Sequence, residues 1–262
     1  AVEIDPNNSS YYRDYAIALA YCGETDRSEE ILDSARDQGL DSVEVSYVKG
    51  EILFNTGDYQ GAKQIFLNSI DDTEDSYTKM RAYIMTCRCI DNLDSSINGK
   101  NEKISLLEKA SKEIGRENNI GILEELAQTY CDAGDETDNA EYYRKAIGVF
   151  EQIEKQDMAD YDTEYNMAVL YQNIHDYASA ENKLNHILDV YGENYRTYKS
   201  LAFLEVAEQS ALSADKRNYS KFEQYYRKSK ELYQKTDVSN ANDVEMDRLD
   251  DLYQQAVDSG WL

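Results

Sequence analysis

Four cysteines, two histidines and a surplus of carboxylates are the reactive groups of this chain. Their spacing decides what they can do. Cys87 and Cys89 stand two apart on a predicted helix, which turns them to different faces. Cys22 and Cys131 fall near the ends of two other predicted helices, and no Cys-x-x-Cys occurs. That pattern reads as free structural thiols rather than as a metal or disulfide framework. His175 and His186 lie eleven residues apart, in a loop and a helix, without the His-Glu-x-x-His pair of a zinc site. The acidic runs Asp71 to Asp75 and Asp132 to Asp138 lack the alternating oxygen ligands and central glycine of a calcium loop, so they read as solvated turns. No glycine-rich phosphate loop follows a strand, and no Gly-x-Ser-x-Gly elbow occurs. The residues thus predict no catalysis, no cofactor and no metal. What remains is surface, and so the elements that build it.

The stretch Val43 to Ile70 predicts two helices packed back to back. Val45, Val48, Ile52 and Leu53 recur at three- and four-residue spacing around Gly50. Asn55-Thr56-Gly57-Asp58 breaks the pattern, and Ala62, Ile65, Phe66 and Ile70 then share one face of a second helix. Gly50 and Ala62 let the helices cross closely, with Phe66 filling the space beside them. The unit recurs along the chain. Gly23 stands 34 residues before Gly57, and Ala16 stands 34 before Gly50. Forward of Ile70 come a helix from Tyr77 to Asn92, a long loop over Asp94 to Gly99, and a helix from Glu102 to Ile114. Next are Leu123, Ala127 and Tyr130 before a break at Gly134-Asp135, and a helix whose start, around Ala140 to Arg144, is lengthened. Two further pairs carry Ala168 with Ala180, and Ala202 with Phe222. A last amphipathic helix runs from about Val244 to Val257, with the only tryptophan, Trp261, packing on it.

Small residue at slot eight, Gly-Asp at fifteen and sixteen, alanine at twenty and an aromatic at twenty-four: this spacing resembles the tetratricopeptide repeat. Departures are Lys103 in the alanine slot of the third repeat and His175 where glycine is preferred. The resemblance implies an all-α, right-handed α-solenoid of about six helix pairs with a C-terminal capping helix. Its expected pieces are 1–8, the remnant of a preceding repeat with Ala1 to Ile4 helical; the repeats at 9–42, 43–74, 75–119, 120–160, 161–194 and 195–241; and the cap at 242–262. A chain that opens in mid-repeat reads as a fragment of a longer protein. One proline in 262 residues and no alternating apolar runs agree with an all-helical chain. Tyrosine outnumbers phenylalanine 23 to 5, which suits shallow interiors where a ring is buried and its hydroxyl stays wet. The charge, 27 − 52 = −25, disfavours nucleic acid and anionic lipid surfaces. No long apolar run predicts a membrane span.

In the resembled family the first helices of successive repeats line a concave groove. The slots facing it fall here on Arg13, Ile17 and Tyr21; on Glu44, Tyr47, Glu51 and Phe54; and on Lys79 and Tyr83. They continue on Glu124, Gln128 and Asp132; on Tyr165, Val169, Gln172 and Asn173; and on Arg196, Lys199 and Phe203. Exposed Tyr47, Phe54, Tyr83, Tyr165 and Phe203 would be the anchors for a peptide. The acidic rim would favour ligands with lysine or arginine. The Lys/Asn pair by which some relatives hold a C-terminal carboxylate is not reproduced. The expectation is a monomeric, non-catalytic scaffold that binds a protein or peptide segment. More loosely, Tyr195-Arg196-Thr197-Tyr198, the Phe222, Tyr225, Tyr226 helix and Ser259-Gly260-Trp261-Leu262 resemble the C-terminal repeat region of clostridia-like serine/threonine protein kinases. That implies a sensor or docking region of a bacterial signalling protein. A peptide-pheromone receptor domain and an envelope-assembly scaffold are the alternatives. The expected location is cytoplasmic, or extracytoplasmic if a signal or span lies upstream.

Overall fold

Aspartate does much of the work of starting helices in this chain. The carboxylate of Asp58 accepts the Gly61 N–H at 2.9 Å, Asp75 that of Thr78 at 2.7 Å, and Asp160 that of Thr163 at 2.8 Å. Asp41, Asp176 and Asp243 act alike at three further helix starts. Each cap satisfies an orphan amide and places a negative charge at the positive end of a helix dipole, worth about 1 kcal/mol. Hydrogen bonds from Thr78 hold the Asp75 carboxyl below its usual range, and those from Thr163 do the same for Asp160. Part of the acidity of the sequence is thus structural.

The structure, a computed structural model, describes residues 9–37, 39, 41–236 and 243–262, apart from the side chains of Ser9, Ser10 and Glu117. The expected remnant at 1–8 lies outside the described residues. Those described hold thirteen α-helices and no strand. They fall into two compact units, Ala1–Asn139 and Ala140–Leu262. The first contains α1 (Ser9–Tyr21), α2 (Thr25–Asp37), α3 (Ser42–Asn55), α4 (Tyr59–Asp72), α5 (Ser76–Leu93), α6 (Ile97–Glu113) and α7 (Ile120–Thr137). The second contains α8 (Ala140–Lys155), α9 (Tyr161–Asn173), α10 (Tyr177–Tyr191), α11 (Tyr195–Ser210), α12 (Ser220–Lys235) and α13 (Val244–Asp258). Within each unit, successive helices pack as antiparallel neighbours: α1 on α2, α3 on α4, α9 on α10, α11 on α12. The expected 120–160 repeat is divided between the units, with α7 packed on α6 in one and α8 on α9 in the other.

The turn inside a pair is one motif used repeatedly. Gly23, Gly57 and His175 all take positive φ, at +78°, +90° and +62°. The next residue then reaches back to a carbonyl five residues earlier: Glu24 to Leu19, Asp58 to Leu53 and Asp176 to Tyr171, each at 2.9 Å. His175 adopts a conformation natural to glycine, at a cost of about 1 kcal/mol. The small slots behave as close approaches. Ala16, Ala82, Ala127, Ala168 and Ala202 are buried. A Cβ added at Gly50 would come within 2.7 Å of the Phe66 ring.

Three expectations need correction. α6 begins at Ile97, inside the expected loop, because Ser96 caps it and Gly99 lies against the Asp94 carbonyl where a Cβ would stand 1.8 Å away. α7 runs through Gly134-Asp135 to Thr137, and Asp138, at φ +52°, follows it as the left-handed residue. Glycine tolerates a helix interior at modest cost, so it did not stop this one. Trp261 does not lie on α13 alone. Its ring stacks on Tyr219, at the start of α12, with centroids 5.1 Å apart.

Lys103, in its unusual slot, is buried with its ammonium 2.9 Å from both Asp91 and Glu125, joining α5, α6 and α7. Burial would lower its pKa, and hydrogen bonds to the two carboxylates outweigh that and raise it. A charge replaces the expected alanine because neighbours on both sides supply its counter-ions.

Candidate functional site

The reactive residues come first. Cys87 and Cys89 are buried free thiols, Cys131 is half-buried and Cys22 is exposed. Burial pushes Cys89 up to about 11 and Cys131 to about 12, which leaves both as protonated, inert thiols at neutral pH. Among the described residues, no group of three His, Cys, Asp or Glu converges to hold a metal. None of the described helices is long and apolar enough to cross a membrane.

The groove slots behave differently in the two units. In the first unit they are spent on one another. Arg13 donates through Nε and Nη2 to the Glu51 carboxylate at 3.1 and 3.0 Å, bridging α1 and α3. Tyr47 is 3% exposed, with the Arg81 guanidinium 4.0 Å over its ring and Phe66 5.2 Å away. Arg81 in turn pairs with Glu44 at 3.2 Å. Tyr83 is fully buried, and its hydroxyl donates to Glu113 at 2.6 Å. Burial pushes that phenol above its usual range, and the Glu113 carboxylate adds to the effect. Tyr47 and Tyr83 are therefore not the exposed anchors expected of them. A neighbouring helix brings a cation or an acceptor to each ring and closes over it. Phe54 is half-buried edge-on to Tyr59. Lys79 lies 3.7 Å from Glu74, Gln128 donates to Asp132 at 2.7 Å, and Glu124 is exposed on α7.

In the second unit the corresponding slots border an open cavity of about 390 Å³. From α9 come Tyr165, Val169, Gln172 and Asn173; from α11 come Ser200, Phe203, Val206 and Ala207. Helix α13 closes the third side with Glu245, Arg248 and Leu252. The volume lies in the range typical of ligand pockets. Tyr165 is fixed by its hydroxyl, 2.6 Å from Ser200 Oγ, and by stacking on Tyr161 at 5.8 Å. It lines the cavity together with Val169, which is 36% exposed. The Arg248 guanidinium lies 5.6 Å over the Phe203 ring. The carboxamides of Gln172 and Asn173 have no hydrogen-bond partner among the described residues. Arg196 is exposed at the start of α11, where a hydrogen bond to Tyr195 raises its pKa.

Lys199 departs from expectation. It is 5% exposed, with its ammonium 2.8 Å from Asp243 and 2.6 Å from Glu245. Burial would lower its pKa, and hydrogen bonds to the two carboxylates more than offset this. It is a tie between α11 and α13 and not a groove cation. The rest of α13 is seated by buried Met246, Leu249 and Ala256, and by the Tyr253 ring stacked on Tyr226 at 4.0 Å. The Tyr226 hydroxyl and the Lys230 ammonium both donate to Asp250.

Repeated helix pairs, glycine-type turns at a fixed slot, small residues at each crossing and a final helix with one apolar face leave one description. The fold is that of the tetratricopeptide repeat. Solved structures agree at the level of fold. The C-terminal part of a tetratricopeptide-repeat-containing protein from Cytophaga hutchinsonii matches with a TM-score of 0.56, at 14% identity over 85% of this chain and 79% of that one. The apo form of RapI matches with a TM-score of 0.53, at 16% identity over 86% of this chain. The match covers 64% of the RapI chain. No family model matches this tetratricopeptide-fold chain, and no curated protein matches it in sequence. Of the slot positions expected to face a groove, Tyr165, Val169, Gln172, Asn173 and Phe203 on α9 and α11 line this cavity. The wall supplied by α13 was missed. Its signal is a second stripe, Glu245, Arg248 and Leu252, at three- and four-residue spacing beside the core stripe of Met246, Leu249, Tyr253 and Ala256.

Proposed function

We propose that this chain is a non-catalytic protein-interaction scaffold, and that the cavity between α9, α11 and α13 holds an extended or helical segment of a partner protein. One observation carries the reading. The cavity joins apolar surface from Val169, Phe203, Val206 and Leu252 to two carboxamides, Gln172 and Asn173, that have no hydrogen-bond partner among the described residues. Apolar surface provides affinity, and free amide donors and acceptors suit the main chain of a peptide. The wider role, as sensor or docking region of a bacterial signalling protein with a serine/threonine kinase upstream, extends this reading and rests on the resemblance of the last third. A cytoplasmic setting is part of the same proposal, with an extracytoplasmic one if a signal or span lies upstream.

The test is a random peptide library displayed on phage and panned against the full chain and against Val169→Glu. Val169 is partly exposed, so the variant should keep its helical circular dichroism while placing a charge on the cavity wall. The expected result is enrichment on the wild type and loss of it on the variant. Equal enrichment on both proteins would overturn the assignment of the cavity.

A further inference from the structure

We infer that the cavity selects a segment carrying an acidic side chain, an aspartate or glutamate beside an apolar residue, and that Arg248 receives it. This rests on the reading of the cavity as a peptide site and adds the chemistry of its ligand. Most of the lysines and arginines of this acidic chain are paired with a carboxylate. Arg13, Arg81, Lys103 and Lys199 each hold one or two. Arg248 holds none among the described residues. Its contact is the face of Phe203. Among the described residues Glu245 is the one carboxylate lining the cavity, and it lies 2.6 Å from the buried Lys199 ammonium. Lys199 is shared with Asp243, so the four charges balance, and Arg248 is the charged lining residue for which no ion pair is made among the described residues.

A second guanidinium extends the same face. Arg196 is exposed seven residues before Phe203 on α11, on the helical face shared with Lys199. The groups acting on it are tyrosines: Tyr195, Tyr161 and Tyr165. Seven helical residues span about 10 Å, the reach of about three residues of extended chain. A segment with two acidic residues so spaced could meet both guanidiniums. A guanidinium is weakly hydrated and presents a rigid fork to a carboxylate, so an acidic ligand gains charge-assisted bonds without breaking an ion pair already made. A basic ligand would meet Arg248 and compete with Lys199 for Glu245. The net charge of −25 attracts cations from a distance, but screening over about 8 Å at physiological salt leaves the choice to the local groups.

Sequencing the phage enriched on the wild type gives the first answer. The expected peptides carry Asp or Glu next to an apolar residue, at least fivefold above the library frequency. A synthetic peptide from that set, fluorescein-labelled and measured by anisotropy, should bind Arg248→Glu at least tenfold more weakly and Arg248→Gln by an intermediate amount. Exchanging its acidic residue for lysine should restore binding to Arg248→Glu. Raising salt should weaken the wild-type complex. Enriched peptides that are basic or show no charge preference, or unchanged binding by Arg248→Glu, would overturn this inference and leave the peptide groove standing. Failure of any peptide to enrich would instead overturn the groove itself. Sedimentation of the wild type adds one more outcome: self-association abolished by Arg248→Glu would make the occupant a second copy and sink the partner-segment proposal.

Discussion

The two units place the same slots of the same repeat to opposite ends. In the first, Arg13 with Glu51, Arg81 with Tyr47 and Glu44, and Tyr83 with Glu113 are complementary pairs drawn from adjacent helices. The face that could receive a ligand is consumed in joining one helix pair to the next. In the second, Tyr165, Asn173 and Phe203 border open space, with Arg248 and the two carboxamides beside them. Two things make the difference: which residues fill the slots, and the third wall that α13 adds in the second unit. A repeat array becomes receptive where its slots stop complementing each other.

The strongest way to break that contrast is Tyr83→Ala. Removing a fully buried aromatic and stranding Glu113 should cost about 3–5 kcal/mol in urea unfolding followed by far-UV circular dichroism. Peptide capture measured below the transition should persist. A variant that melts normally yet loses capture would return Tyr83 to a binding face. Next in size is Ala180→Leu in the second unit. Ala180 is fully buried between α9 and α10, and overpacking it should cost about 1–3 kcal/mol. Trp261 belongs to that unit and should report the loss in its emission, whereas Tyr83→Ala should move far-UV ellipticity first. An unchanged melting temperature in Ala180→Leu would show that the register of the pair is wrong.

The smallest effect concerns pH. Burial raises Asp243, but the Lys199 ammonium and the N–H groups of Glu245 and Met246 outweigh it, so its carboxyl titrates below the usual range. A depressed carboxylate stabilises the fold above its unfolded value, and that stability is lost as pH falls through the lower folded value. The seat of α13 should thus hold at neutral pH and loosen only in acid below about pH 4. In Lys199→Met the same loosening, followed by Trp261 emission, should begin at higher pH. Identical acid midpoints in the two proteins would mean that the ion pair does not hold the helix.

Breaks and crossings were legible in the sequence because they depend on single residues. Gly23 and Gly57 mark turns by what their backbones permit, and Gly50 opposite Phe66 marks a crossing by bulk. Gly134 misled because the same freedom does not oblige a helix to stop. The site was half legible. A slot gives the direction in which a side chain leaves its helix, which sufficed for Tyr165, Asn173 and Phe203. It does not tell what arrives from the next helix. Arg81 reaches Tyr47 across 34 positions, and Glu113 reaches Tyr83 across 30. No local pattern encodes those encounters. Lys199 was misread for the same reason, since its counter-ions stand more than 40 residues away at Asp243 and Glu245.

One helix in the second unit serves two structures at once. α13 buries Met246, Leu249 and Ala256 in the core and turns Arg248 and Leu252 to the cavity. Docking of that helix and occupancy of the cavity are then one linked equilibrium seen from two sides. A ligand present at a hundred times its Kd would hold α13 down by a further 2.7 kcal/mol or so. Conversely, whatever loosens the hold of Lys230 and Tyr226 on Asp250 would be felt as lost affinity, at a point no ligand touches. A chain cut before Asp243 would keep α9 and α11 intact and still have only two walls of a three-walled cavity.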